Sequence, residues 1–418
     1  MKKKIYKFFL LFLVILISIF SGYENPNLVE VPKKYARFII KKISIKNSFF
    51  NKKIENIDPD KNEKKEEHFS EINGNSFSLY LSKVKSYSGK SASLIIKNNN
   101  NKIDYEIFTQ KGLLIKDNKT SEINLPLSFY IGKDGGVKSV FIIKNKYFAL
   151  LSLKKFGCIY ASLINLKKKE ELMKTDCIPD EDGINLGGLG GAFIKDKKGV
   201  LLTIGAPTHI SEEIDMLAQK NNSPFGKILF IKNEEFLDNS KTEIKYDIFS
   251  KGHKNPQGLT FLDDTIFSLE HGPQGGDELN KIVKGKNFGW PLASLGTRYN
   301  DGKSYLKSHI DNNFEEPIFT FSPAVAPSSL SVCPDNLKRY YKNYNCLMGL
   351  SLRGMSILIF LLDKKKTKVI GVEKIFLEKR LRHFGLSPEG NTFFDKENNF
   401  YITSDNDGMY KIKFNKFR

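Results

Sequence analysis

From Ser76 onward the chain reads as short runs of β-favouring residues broken by Asn, Gly, Asp and Lys clusters. Examples are SFSLYLSKV, SASLIIK, KSVFIIK, YFALLSLK, GVLLTIG, GKILFIK, TIFSLE, NCLMGLS, SILIFLL and NFYITSD. Several alternate apolar and polar residues with period two, as strands with one buried face do, and few segments hold a helical period. One exception, SEEIDMLAQK at 211–220, predicts a short helix capped by Ser211. Many short strands with regular turns describe a sandwich, a barrel or a propeller, and pattern alone does not separate these. Recurrence in units of roughly 40–50 residues favours the propeller.

The N-terminal pattern is different. MKKKIYK is followed by the apolar run FFLLFLVILISIF at 8–20 and then Ser21-Gly22. A basic start, an apolar run of this length and small residues after it predict an export signal. The run is shorter than the ~20 residues of a comfortable membrane span. Ile19-Phe20-Ser21 departs from the small-x-small cleavage pattern, so residues 1–22 read as a signal peptide or as an uncleaved N-terminal membrane anchor. Residues 23–75 are rich in Lys, Asn and Glu and read as a spacer, with Ile39–Ile45 as one candidate strand. The body is then 76–418, exported to the periplasm or anchored at the outer face of the inner membrane.

An exported chain meets an oxidising compartment, where cysteines pair. Four cysteines allow three pairings. The local one, Cys158–Cys177 with Cys333–Cys346, is the simplest because each bond staples one hairpin or loop. No CxxC spacing or neighbouring histidine pair suggests a zinc site. The formal charge of +19 is carried mostly by lysine. No packed basic tract with interleaved aromatics accompanies it, so the charge reads as a solvated surface and argues against nucleic acid as a partner.

The chemistry-bearing stretch is Gly252 to Pro291, GHKNPQGLTFLDDTIFSLEHGPQGGDELNKIVKGKNFGWP. Two Gly/Pro-punctuated loops, GHKNPQG and EHGPQGGDE, flank a short apolar run, and GKNFGWP closes the segment. Such spacing predicts strands leading to loops. In the second loop the carbonyls of Gly272 and Pro273 lie close in sequence to Asp277 and Glu278, an oxygen-rich set of the kind hard cations favour.

This stretch resembles the signature of the soluble sugar dehydrogenases that use pyrroloquinoline quinone (PQQ), the glucose/sorbosone dehydrogenase family. Its pattern is GHRNPQG, then EHGP followed by DE-x-N, then GxNYGWP. The resemblance is clear from about Val137 to the end. It implies an all-β fold, a six-bladed β-propeller whose first blade is placed by length and β-pattern only. It also implies PQQ and calcium as cofactors, and a sugar or alcohol as substrate.

PQQ carries three carboxylates, and guanidinium offers a bidentate fork that ammonium does not. The chain has seven arginines, at 37, 298, 339, 353, 380, 382 and 418. Three of them match the family's cofactor positions: Arg353 in Ser351-Leu352-Arg353, and Arg380 and Arg382 in an R-x-R before Pro388-Glu389-Gly390. Lys254 stands where the family has arginine, and Asn255 beside it matches. The resemblance assigns the catalytic calcium to the carbonyls of Gly272 and Pro273, and a further calcium to Glu278.

The family's catalytic histidine is missing. Its segment, His-x-Gly-Gly-Arg-Leu, corresponds to Gly188-Leu189-Gly190-Gly191-Ala192-Phe193, so both His and Arg are replaced. His209 on the next loop is the one substitute candidate, and His383 follows R-x-R where an acidic residue is usual. Two functional readings follow. One is a divergent PQQ- and calcium-dependent aldose or alcohol dehydrogenase of the periplasm, monomeric or homodimeric. The other is a non-catalytic propeller that keeps the pocket and acts in binding.

Overall fold

The computed structural model describes residues 69–99, 102–207, 211–238, 241–305 and 309–417. The N-terminal signal, the candidate strand Ile39–Ile45 and His209 lie outside the described residues. Residues 67–418 form one compact unit.

The regular structure of the described chain is mostly strand, arranged in five hydrogen-bonded sheets. Three are plain four-stranded antiparallel meanders: Gly190–Lys195 to Asp247–Lys251, Asn255–Leu262 to Phe319–Phe321, and Pro327–Val332 to Val369–Phe376. A fourth begins with Val137–Ile143, Lys146–Lys155, Cys158–Asn165 and Glu170–Lys174, and the short strand Ile178–Pro179 is added beside Cys158–Asn165. The fifth sheet has nine strands and joins the two ends of the described chain. In it Phe77–Ser86 pairs antiparallel with the last strand, Gly408–Phe417. Leu381–Leu386 meets Ser91–Asn99 in parallel at only two positions, Gly385 with Leu94 and Leu386 with Ile95.

Phe69–Asn73 pairs with Phe77–Ser86 over five residues, so β-structure begins inside the segment read as spacer. The sequence Phe-Ser-Glu-Ile-Asn alternates too briefly to stand out from the Lys/Glu-rich text before it.

Central strands are buried on both faces because consecutive sheets pack face to face. One apolar cluster joins Phe141, Phe148 and Leu163 of one sheet to Phe193, Leu202 and Leu229 of the next. Another joins Phe267, Leu269 and Leu279 to Leu330, Leu347 and Phe360. This is why Phe148 to Leu153 forms an unbroken buried run rather than alternating.

Both local disulfides are present, Cys158–Cys177 with Cα atoms 5.4 Å apart and Cys333–Cys346 with 5.5 Å. The second brackets the helix Asp335–Tyr340. The helix expected at 211–220 forms over Glu212–Asp215 and continues as a 3₁₀ turn at Met216–Ala218, with Ser211 Oγ accepting from the Ile214 amide. Among the described residues no helix is long and apolar enough to cross a membrane.

Candidate active site

One cavity of about 570 Å³ is lined by six strands: Ser91–Asn99, Val137–Ile143, Gly190–Lys195, Asn255–Leu262, Pro327–Val332 and Leu381–Leu386. Each of these strands shifts register against its antiparallel partner near its beginning. The shifts fall between Ser91 and Ser93, Val137 and Ser139, Gly190 and Phe193, Pro256 and Gly258, Pro327 and Ser329, and Leu381 and Phe384. A β-bulge adds an unpaired residue and re-aims its side chain, and here the added residues include Lys138, Gln257 and Arg382. All three face the cavity.

The cavity brings together Lys254, Asn255, Arg380 and Arg382 of the expected cofactor set, with Gly188 and Ala192 at the positions of the missing His and Arg. It also holds His271, whose Nε2 is buried without a hydrogen-bond partner. Four further charged residues, Lys90, Asp134, Lys138 and Lys338, line it without having been singled out in the sequence.

Lys254 places its ammonium 5.5 Å from the ring centre of Trp290 and 5.7 Å from that of Tyr299. Burial lowers its pKa, while Asp215, Asp277, Glu270 and Glu278 act in the opposite sense. The loss of the arginine fork is thus offset by an aromatic cradle that suits a compact cation. Arg382 gives its fork to Asp405, with Nε on Oδ1 and Nη2 2.6 Å from Oδ2. Arg380 is half exposed, with Nε 3.6 Å from the same carboxylate, and is the freer guanidinium toward the cavity.

Asn255 and Gln257 act on the loop that carries Gly188. Asn255 Oδ1 accepts from the Gly190 amide at 3.1 Å, and Gln257 Nε2 donates to the Gly187 carbonyl at 3.0 Å. A Cβ added at Gly188 would lie 3.0 Å from the Ala206 carbonyl oxygen, so a side chain there requires that backbone to yield slightly. One at Gly205 would lie 2.0 Å from the Gly188 carbonyl oxygen. The two loops are held at glycine contact.

Four expected residues, Arg353, Gly272, Pro273 and Glu278, do not line the cavity. Arg353 is exposed, close enough to Tyr299 to act on it electrostatically. The Gly272–Pro273 loop lies next to His271 but outside the lining. Its Pro273 carbonyl accepts from the Gly276 amide at 3.3 Å, and a Cβ on Gly272 would sit 1.6 Å from the Gly276 oxygen. Glu278, expected at a further calcium site, also lies away from the cavity lining. It lies within the sheet opposite Glu270 and accepts from Asn280 Nδ2 at 3.2 Å. Burial and the Glu270 charge push its carboxyl up to about 8. Successive strand residues point to opposite faces, so Asp277 and Glu278 cannot serve one ion as their adjacency suggests. Among the described residues no group of three or more His, Cys, Asp or Glu is placed to hold a metal ion.

The donor set fits a planar polyanion: guanidinium and ammonium groups on several sides, plus the unpartnered His271 Nε2. It does not fit a calcium centre built on Glu278.

The Glucose / Sorbosone dehydrogenase family profile matches residues 164–402. The chain belongs to this family. It is 34% identical over 152 residues to the aldose sugar dehydrogenase YliI of Escherichia coli, an alignment covering 33% of this chain and 38% of that protein. The chain matches less than half the length of its curated relatives. The soluble aldose sugar dehydrogenase from Escherichia coli, solved in the apo-form, superposes with a TM-score of 0.61 at 18% identity, over 80% of this chain and 99% of that one. The PQQ-bound aldose sugar dehydrogenase from Streptomyces coelicolor gives 0.50 at 18% identity, over 81% and 98%. These likenesses establish an all-β fold whose neighbours are propeller dehydrogenases.

Asp215 is a further residue the sequence did not flag. It is buried near Lys254, and desolvation raises its carboxyl to about 7. An acid whose folded pKa lies above its unfolded value contributes stability below the unfolded pKa and loses it as pH rises through the folded one. Asp215→Asn is therefore expected to match the wild type near pH 4 and to exceed it by ~2–4 kcal/mol above pH 7. Urea unfolding at the two pH values checks this, and equal stability of the two proteins at pH 8 would refute it.

Proposed function

We propose that this protein is an exported PQQ-dependent dehydrogenase of aldoses or related alcohols, built as six antiparallel blades of four or five strands around the cavity. The observation that carries the reading is the convergence of Lys138, Lys254, Arg380 and Arg382, from three different sheets, on one cavity in a chain of this family. The blade count follows from dividing the nine-stranded sheet at its two-residue parallel contact, which leaves two antiparallel units and gives each of the six lining strands a unit of its own.

PQQ, when bound, supplies a quinone that accepts a hydride from the sugar carbon. Arg380 and Lys254 would hold its carboxylates, with Arg382 fixed behind them by Asp405. His271 Nε2 offers a neutral hydrogen-bonding atom, since burial and Lys254 keep its imidazole down to about 3. A calcium ion would have only the Gly272 and Pro273 carbonyls from the expected set, and the remainder of its six to eight oxygens would come from the ligand and water.

The test is titration of the purified protein with PQQ, with and without calcium, followed by dye reduction with a panel of aldoses. Arg380→Ala is expected to weaken PQQ binding by ~1.5–3 kcal/mol, the scale of a charge-assisted hydrogen bond. Absence of PQQ binding with calcium present would overturn the reading. Gly188 and Ala192 favour a second reading, a propeller that binds the anion without turnover. PQQ binding with no aldose oxidation would decide for it.

A further inference from the structure

We propose that Lys138 is the general base of this site, taking the substrate hydroxyl proton that a histidine at position 188 would otherwise take. The inference rests on the dehydrogenase reading and goes beyond it in naming the residue that replaces the lost one.

Geometry comes first. Lys138 is the extra residue of the bulge between Val137 and Ser139, and the bulge turns it into the cavity. Its Nζ donates to the Asp134 carbonyl at 2.6 Å, which tethers the amine at the wall. It packs against the loop that lost the histidine: a Cβ added at Gly191 would lie 3.1 Å from Lys138 Cβ. Glycine at 188 and alanine at 192 leave that side of the cavity without long side chains.

Chemistry narrows the choice further. Burial and three charged groups decide the state of Lys138. Burial, Arg382 and Lys90 disfavour its ammonium, Asp134 favours it, and the balance brings it down to about 7. A base with such a value is half free at neutral pH and still basic enough to accept a hydroxyl proton. Lys254, also lowered by burial, is held against the rings of Trp290 and Tyr299, and several other ionisable groups of the wall serve less well. His271 and His383 are held at about 3, which makes them weak bases. Lys90 is paired with Asp134 at 2.7 Å. Arginines do not deprotonate.

In the step, the O–H bond of the sugar's anomeric hydroxyl breaks as an N–H bond forms at Nζ. The oxygen's electron pair closes the C=O bond, and the carbon's hydrogen leaves with its pair to the quinone oxidant. Two electrons and one proton leave with that hydride, and the second proton stays on Lys138 until water removes it.

Three full-length proteins test this, wild type, Lys138→Met and Lys138→Arg, each loaded with PQQ and calcium and checked for folding by thermal denaturation. Wild-type kcat is expected to fall about tenfold per pH unit below pH 7, as the amine becomes protonated. Both variants should lose 10²–10⁴-fold in kcat, with small primary amines restoring part of it to Lys138→Met. A role as a mere cation predicts instead that Lys138→Arg stays active. Independently of turnover, ¹³C reductive methylation of the PQQ-free protein should show, besides buried Lys227, whose ammonium is also brought down to about 7, a lysine titrating near 7 that is missing from both variants. No such variant-sensitive signal near 7, or full activity in Lys138→Met, would overturn the proposal. If the wild type itself binds PQQ but oxidises no aldose, the dehydrogenase reading fails, and this inference with it.

Discussion

Arg382→Ala is expected to lower folding stability by ~3–5 kcal/mol, whereas Arg380→Ala should change it by less than about 1 kcal/mol. The two arginines share one strand end and one carboxylate but differ in burial. Asp405 is almost inaccessible, and Arg382 meets it with both arms of its fork. Removing Arg382 leaves a buried charge with no partner of comparable geometry. Arg380 stands half in solvent 3.6 Å from the same carboxylate, where screening leaves little net energy. Ligand binding should sort them differently, with Arg380→Ala reducing PQQ affinity in a protein that unfolds normally. Urea unfolding and PQQ titration of both variants form the check. Equal losses of stability would show that Asp405 does not discriminate between them.

The loops were legible because glycine and proline mark tight backbone, and GHKNPQG, EHGPQGGDE and GKNFGWP announce themselves in that way. Lys254, Asn255, Arg380 and Arg382 were reached through the match of those motifs, and the structure does gather them at one cavity. Lys138 was not legible. It sits in KSVFIIK, where an alternating pattern gives no hint that a bulge interrupts the pairing and turns the lysine inward. The placement of Glu278 was hidden for another reason, since adjacency to Asp277 in a loop-like motif concealed that both lie on a strand, Asp277–Ile282. Partners distant in sequence were equally hidden: nothing in the R-x-R motif points to Asp405. The β character of the body was clear from short apolar runs, but the strand Phe69–Asn73 was lost in its polar surroundings.

Asp277→Ala is expected to cost ~3–5 kcal/mol and to loosen the wall of the cavity beside His271. The Asp277 carboxylate accepts three backbone N–H groups, from Gly272 at 3.2 Å and from Val325 and Ala326 at 2.7 Å each. It thereby ties the EHGP loop to the segment entering the next sheet, two stretches about fifty residues apart. Ala326 has a φ of 53°, a left-handed conformation unfavourable to a residue with a Cβ, so the hydrogen bond also holds local strain in place. With the carboxylate gone, three amides in a buried region lose their acceptor and Ala326 loses its restraint. Asp277→Asn keeps one acceptor oxygen but turns an NH₂ group toward amide donors, so it should fall between the wild type and alanine. Hydrogen exchange gives the local readout: protection at Gly272, Val325 and Ala326 should drop in both variants before global unfolding. Because His271 and Ala326 both line the cavity, PQQ affinity should fall with that protection. A variant that kept protection at all three amides would show that the loop is held by its glycine contacts instead.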